Sequence, residues 1–251
     1  FRRVLFRSQL DIVGYNEGVE SVFEIEGDRV RYPDRKMYLS EVPHSLQTRG
    51  EYRTDPRYYR PGFDHPKLTE KEVFPETDAY YDSSYDNAGV QIDAQRSWRM
   101  TSKLPYLMGE FRWTGFDYIG ESGGWPRVIG NYGIIDLCNF PKDTYYFYQS
   151  QWTDKPMAHL LPHWTWPGKE GVSIPVWCYT NCDEAELFLN GKSLGTRKFD
   201  AKNDMHLEWL VSYQPGELKV VARKDGKVVA TSGHHTAGAP ARIGISADHP
   251  T

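Results

Sequence analysis

Two dipeptides, Asn190-Gly191 and Asp225-Gly226, constrain the C-terminal part of this chain more than any other feature. Each stands between runs in which apolar and polar residues alternate, EAELFL before KSLG and GELKVVARK before KVVATS. Asn or Asp followed by Gly accepts positive φ at both central positions of a type I′ turn, whose twist matches that of the flanking strands. GVSIPVWCYT and MHLEWLVSY supply two more short runs. Strands this short, at this spacing, imply an antiparallel β-sandwich of the immunoglobulin type over residues 157–236.

Upstream of a boundary near Asp154 to His159 the pattern is different. LDIVGYN (10–16) and KMYLSE (36–41) are short continuous apolar runs of the kind buried on both faces. The charged residues 17–35 between them hold a helix or loop. AGVQIDAQRSWRMTSK (88–103) has helical spacing, and PYLMGEFRWTGFDYIGE (105–121) is a third strand running into a polar and aromatic loop. Strand, crossover, strand, helix, strand implies parallel pairing in an α/β layer. Residues 50–88 are rich in Tyr, Pro and Asp with little periodicity, a loop long enough to be functional or disordered.

Net charge is −4 over 251 residues, which leaves no basic footprint for nucleic acid. No apolar run approaches the roughly 20 residues that span a bilayer. Aromatic residues make up 14% of the chain, which suits an aromatic β-rich core and equally suits stacking surfaces for sugar rings. The three cysteines, Cys138, Cys178 and Cys182, contain no CxxC pair, so no metal site is expected. A Cys178–Cys182 disulfide and two free buried thiols are both open. FRRVLFRS (1–8) has no pattern linking it to the residues after it and resembles translated sequencing-adapter sequence. Residues 237–251 begin a new apolar alternation and stop. The natural protein is expected to continue in both directions.

Glu41 closes the run KMYLSE, and a carboxylate at the end of a buried strand is costly unless it has a partner or a task. The task would be catalytic; the partner would be Arg49 or Arg112. In a parallel α/β barrel, catalytic groups sit at the C-terminal strand ends. The stretch Trp113 to Glu121 comes after LMGEFR at another such end. A carboxylate and a Trp at adjacent strand ends suit glycoside hydrolysis, the Trp serving as a platform for a sugar's apolar face. Glu110 by alternation points instead into the helix layer.

Four stretches, LDIVGYN, YPDRKMYLSEVPHSLQTRGEY, GEFRWTGFDYIGE and GNYGIIDLCNFPKDTYYFYQSQW, together resemble the last part of the catalytic barrel of glycoside hydrolase family 2, the β-galactosidase type. HLLPHWTW, IPVWCYTN and EAELFLNGKSLG resemble the sandwich that comes after the barrel in many polysaccharide-degrading members, and TAGAPARIGISAD resembles the opening of a further one. The resemblance covers residues 9–251. It implies strands six to eight of a (β/α)8 TIM barrel over 9–155, and then the immunoglobulin-like sandwich.

The resemblance also implies roles. Glu41 becomes the nucleophile at the end of barrel strand seven. His44, in Glu-x-x-His, lies near the sugar's 6-hydroxyl or is a packing histidine. Trp113 stacks on the sugar or belongs to the core. Asp117 accepts a sugar hydroxyl or caps its loop. Tyr15 matches, imperfectly, a strand-six Tyr that hydrogen-bonds the nucleophile. Arg49 holds the loop after Glu41. Asn16-Glu17 resembles the family's Asn-Glu acid/base pair, but only 24 positions separate Glu17 from Glu41. A βα unit takes roughly 30 residues, so there is room for one crossover and not for strands five and six. Glu17 is therefore a solvated loop residue, and the acid/base is expected upstream of residue 1, leaving this chain inactive by itself.

The expected activity is that of a retaining exo-β-glycosidase acting on terminal β-linked sugars, first a β-galactosidase, with β-glucuronidase and β-mannosidase as rivals within the family. No cofactor or metal is needed. The competing class is a carbohydrate-binding or adhesion module in which Trp164 and Trp166 of HWTW bind glycan; the same residues could wedge a domain interface. A periplasmic or secreted location is expected by resemblance, and the oligomeric state is open.

Overall fold

The computed structural model describes residues 10–16, 18–42, 47–52, 94–120, 128–244 and 246, and for 18–24 and Arg96 the backbone only. The chain opens with β1 (Ile12–Asn16), α1 (Gly18–Arg31) and β2 (Lys36–Glu41). After the segment that lies outside the described residues come α2 (Ala94–Lys103) and β3 (Leu107–Glu110). The three strands pair in the order β1-β2-β3, all parallel. Among the described residues this sheet is open, with no closed barrel.

Alternation gives the sheet two faces. Val13 and Tyr15 of β1, Met37 and Leu39 of β2, and Val42 pack with Ile25 of α1 into one core. Ile12, Gly14, Asn16, Tyr38 and Ser40 fall on the opposite face. A Cβ on Gly14 would stand 2.8 Å from the Tyr38 ring, so a larger residue there would push that ring aside. Ile12, Met108 and Phe111 are exposed.

Between β3 and the sandwich lie a small ladder of β4 (Tyr118–Ile119) and β5 (Ile129–Gly130) and the helix α3 (Asp143–Trp152). The sandwich has two sheets. One orders β10 (Leu207–Ser212), β7 (Ser173–Thr180) and β6 (Ala158–Leu161); the other orders β12 (Lys227–His235), β11 (Glu217–Lys224), β8 (Glu184–Leu189) and β9 (Lys192–Lys198). Both hairpin dipeptides turn as their chemistry requires. Asn190 and Gly191 have φ of 51° and 77°, Asp225 and Gly226 of 50° and 73°.

Alternate residues of β8, β10 and β11 fill a core that includes Trp164, Val176, Leu187, Trp209 and Val220. β9 is exposed throughout, an edge strand protected by Lys192, Arg197 and Lys198. β7 departs from alternation because it is covered on both sides. Val176 and Cys178 face the sandwich core, while Trp177 and Tyr179 pack with Phe147 and Tyr148 of α3 in a second cluster. That shared cluster joins the sandwich to the helix before it. Cys178 and Cys182 are free and buried, and burial pushes the Cys178 thiol up to about 12. No helix among the described residues is long and apolar enough to cross a membrane.

Candidate active site at the strand ends

The register of β1 on β2 slips once. Tyr15 lies opposite Leu39, but Asn16 lies opposite Glu41. Leu39 and Val42 both belong to the helix-side core, so Ser40 and Glu41 between them share the opposite face. A bulge of this kind re-aims a side chain at a strand end. Here it brings Glu41 to the face that carries Asn16, whose Oδ1 accepts from Ser40 Oγ at 3.2 Å. Without the slip, strict alternation would send Glu41 toward α1.

The end of β3 lies directly alongside. Phe111 N–H donates to the Leu39 carbonyl at 2.8 Å, and Val42 N–H donates to the Phe111 carbonyl at 3.0 Å. The chain then passes through Arg112 to Trp113, which is half-buried and outside the core clusters. The Trp113–Thr114 peptide is cis. The Trp113 ring meets Tyr118 edge-on at 6.1 Å, and Tyr118 stacks on Tyr132. Glu41 and Trp113 thus occupy adjacent strand ends on one rim.

Residues 131–142 form a frame that holds residues 112–117 on one side and residues 47–49 on the other. Thr114 N–H donates to the Tyr132 carbonyl, and Arg112 Nη2 donates to the same oxygen at 3.0 Å. Gly133 N–H donates to Asp117 Oδ1 at 2.8 Å; a Cβ on Gly133 would collide with the Asp117 backbone nitrogen at 2.1 Å. On the other side Gln47 N–H donates to the Asn131 carbonyl. Arg49 Nε pairs with Asp136 Oδ2 at 2.6 Å while its guanidinium lies over Phe140. Arg49 therefore fastens the segment after Glu41 to the 136–140 turn.

Lys142 stands at the centre of the frame. Its side chain is 0% exposed, and its Nζ donates to Asp117 Oδ1 at 2.7 Å, to the Gln47 carbonyl at 2.7 Å and to the Asn131 carbonyl at 3.3 Å. Burial lowers the affinity of Lys142 for its proton and raises that of Asp117, while the pairing opposes both shifts. Sequence reasoning missed Lys142. Its only signal is a basic residue at the start of α3, and it carries no periodicity.

The other expected residues separate clearly. Tyr15 lies on the helix side of β1. It is 1% exposed and its hydroxyl donates to Asp28 of α1 at 2.7 Å. Its place one residue before Asn16, on the core side of β1, puts it among the helix contacts. Asp117 has Oδ1 committed to Lys142 and Gly133, the geometry of a loop cap. Glu110 faces the helices. It accepts from Ser97 at 2.8 Å and Thr101 at 2.7 Å, and burial raises its pKa. His44 and Glu17 lie outside the described residues. Trp164 is 0% exposed, with Nε1 donating to the Gln214 carbonyl, so HWTW presents no pair of exposed rings. Trp166 stacks on His163 beside Tyr52, against residues that precede the sandwich.

Residues 171–230 match a family model described as a domain of unknown function, DUF4982. Over 94% of its length the chain is 44% identical to a putative β-glucuronidase of Formosa agariphila, covering 25% of that protein. Over 97% it is 43% identical to the β-galactosidase BoGH2A of Bacteroides ovatus, covering 28% of it. The crystal structure of a β-glycosidase from Bacteroides vulgatus superposes with a TM-score of 0.81 at 47% identity, over 96% of this chain and 32% of that one. The chain thus spans about a quarter to a third of the relatives it matches. Across both the parallel sheet and the sandwich, the homologues and structural neighbours of this chain are members of glycoside hydrolase family 2.

Proposed function

We propose that this chain is a sector of a retaining exo-β-glycosidase, with β1, β2 and β3 as strands six to eight, the C-terminal part of a (β/α)8 barrel, and the sandwich as an immunoglobulin-like domain behind it. Glu41 is the nucleophile. The single observation that carries this reading is the bulge that turns Glu41 onto the rim beside the Trp113 segment. Relatives named as β-galactosidase and β-glucuronidase support hydrolysis of a terminal β-linked sugar.

In this mechanism the Glu41 carboxylate attacks the anomeric carbon while an acid outside this chain protonates the departing glycosidic oxygen. The C–O bond to the leaving group breaks as the glycosyl ester forms. Water, deprotonated by the same acid/base, then attacks the anomeric carbon and releases Glu41, with net retention. The two carboxyl groups lie about 5–5.5 Å apart in enzymes of this type. Trp113 stacks on the sugar ring, and His44 lies near its 6-hydroxyl. The leading substrate is a β-galactoside, in a periplasmic or secreted protein.

The test uses the full-length protein. Glu41→Ala should abolish turnover of an activated β-galactoside, and added azide should restore it with an α-galactosyl azide as product. Azide rescue absent with every sugar tried, in a folded variant, overturns the assignment. Rescue with a glucuronide and not a galactoside changes the sugar and keeps the mechanism.

A further inference from the structure

At the ammonium of Lys142 the segment after Glu41 and the segment after Trp113 meet a common group. Gln47 stands six residues after Glu41, and Asp117 stands four after Trp113. The third acceptor, the Asn131 carbonyl, belongs to the frame that holds both segments. Three acceptors saturate the three donors of an ammonium. A buried charge is an expensive way to gain stability, since well-packed apolar residues often do as well. Its particular property is directional: three bonds from one atom, two of them at 2.7 Å, tie three segments of the chain to each other.

We propose that Lys142 is a positioning residue for the glycosidase site, holding the Glu41 segment and the Trp113 segment in one relation through the Gln47 carbonyl and the Asp117 carboxylate. This rests on the assignment of Glu41 as nucleophile. Asp117 then acts through Lys142 and not on the sugar. Neighbouring bonds point the same way. The buried side chain of Gln47 accepts from Thr144 Oγ1 at the start of α3, so the Gln47 segment is held by backbone and side chain together. Gly133 N–H supplies the second bond to Asp117 Oδ1, which keeps that oxygen directed at the ammonium. Breaking the clamp frees both segments to shift, and a displacement of about 1 Å at a reacting group costs on the order of 100-fold in rate.

The experiment uses the full-length protein, after wild-type labelling on Glu41 by a fluorosugar has established the nucleophile. Lys142→Met and Asp117→Asn are compared with Val220→Ala, a sandwich-core variant that lowers thermal stability at a distance. All are assayed well below their unfolding midpoints. For both clamp variants the expected result is a fall in kcat of roughly 10- to 100-fold with KM changed much less, and a matching fall in the rate of Glu41 labelling. The control should lose melting temperature without losing kcat. Asp117→Asn keeps the shape of the side chain, so it remains informative if Lys142→Met does not fold. A kcat within two-fold of wild type in folded Asp117→Asn overturns the positioning role. A change in KM alone for Asp117→Asn returns Asp117 to direct sugar contact and also overturns it. Failure of wild-type labelling at Glu41 instead sinks the nucleophile assignment.

Discussion

Truncating Trp164 tests the sandwich as a structural unit and the glycan-binding alternative in one step. The ring is fully buried, its edge meets Tyr213 at 5.2 Å, and its Nε1 donates to the Gln214 carbonyl at 3.0 Å. Removing a buried aromatic to Ala costs about 3–5 kcal/mol. Leaving the carbonyl without its donor adds about 1 kcal/mol. The sum of about 4–6 kcal/mol rivals the whole stability of a small domain. Trp164→Phe keeps most of the ring and should lose about 1–2 kcal/mol. The assay is urea unfolding of residues 156–237 monitored by far-UV circular dichroism. With a slope of about 1 kcal/mol per molar urea, Trp164→Phe should lower the midpoint by roughly 1–2 M, and Trp164→Ala should leave little folded protein in water. A Trp164→Ala midpoint close to wild type, together with lost retention on a glycan column, would refute the burial argument and restore the binding-module reading.

Tyr15→Phe should destabilise the α/β part by about 1.5–3 kcal/mol, the range for a hydrogen bond to a charged group, and leave kcat of the full-length protein within two-fold; a kcat loss without a stability loss would return Tyr15 to the site. Because burial raises the folded-state pKa of Glu110 above its unfolded value, the folded state holds that proton over a window in which the unfolded chain has lost it. Stability from this group therefore declines as pH rises through that window and is level above it; Glu110→Gln should flatten this slope in unfolding titrations, and an unchanged slope would count against it. In the native protein a thiol reagent should modify the exposed Cys138 at once and Cys178 only on unfolding, as its raised pKa and burial require; rapid native labelling of Cys178 would contradict its packing.

Legibility in the sequence depends on how local the cause is. The hairpins at Asn190-Gly191 and Asp225-Gly226 arise from backbone preferences of two residues each, so sequence reveals them. Glu41 stands out because a charge breaks an apolar strand. The bulge that aims it is not legible, since it depends on the partner strand's register. The face that Tyr15 takes is hidden for the same reason: motif similarity places a residue at a strand end, while face is decided by parity, and one residue changes it. The double burial of β7 depends on α3 covering Trp177 and Tyr179, a contact between elements far apart in sequence. Lys142 is least visible. Its three acceptors lie 11, 25 and 95 residues away, and no spacing rule joins them.

The proposed chemistry stands or falls with Glu41. The most direct measurement is to treat the full-length protein with a 2-deoxy-2-fluoro-β-galactosyl fluoride and locate the modified peptide by mass spectrometry. The fluorine slows release of the glycosyl ester, so the label should accumulate on Glu41 with loss of activity in step. A label on any other carboxylate would contradict the nucleophile assignment. So would a folded, active enzyme left unlabelled by galactosyl, glucuronyl and mannosyl reagents alike.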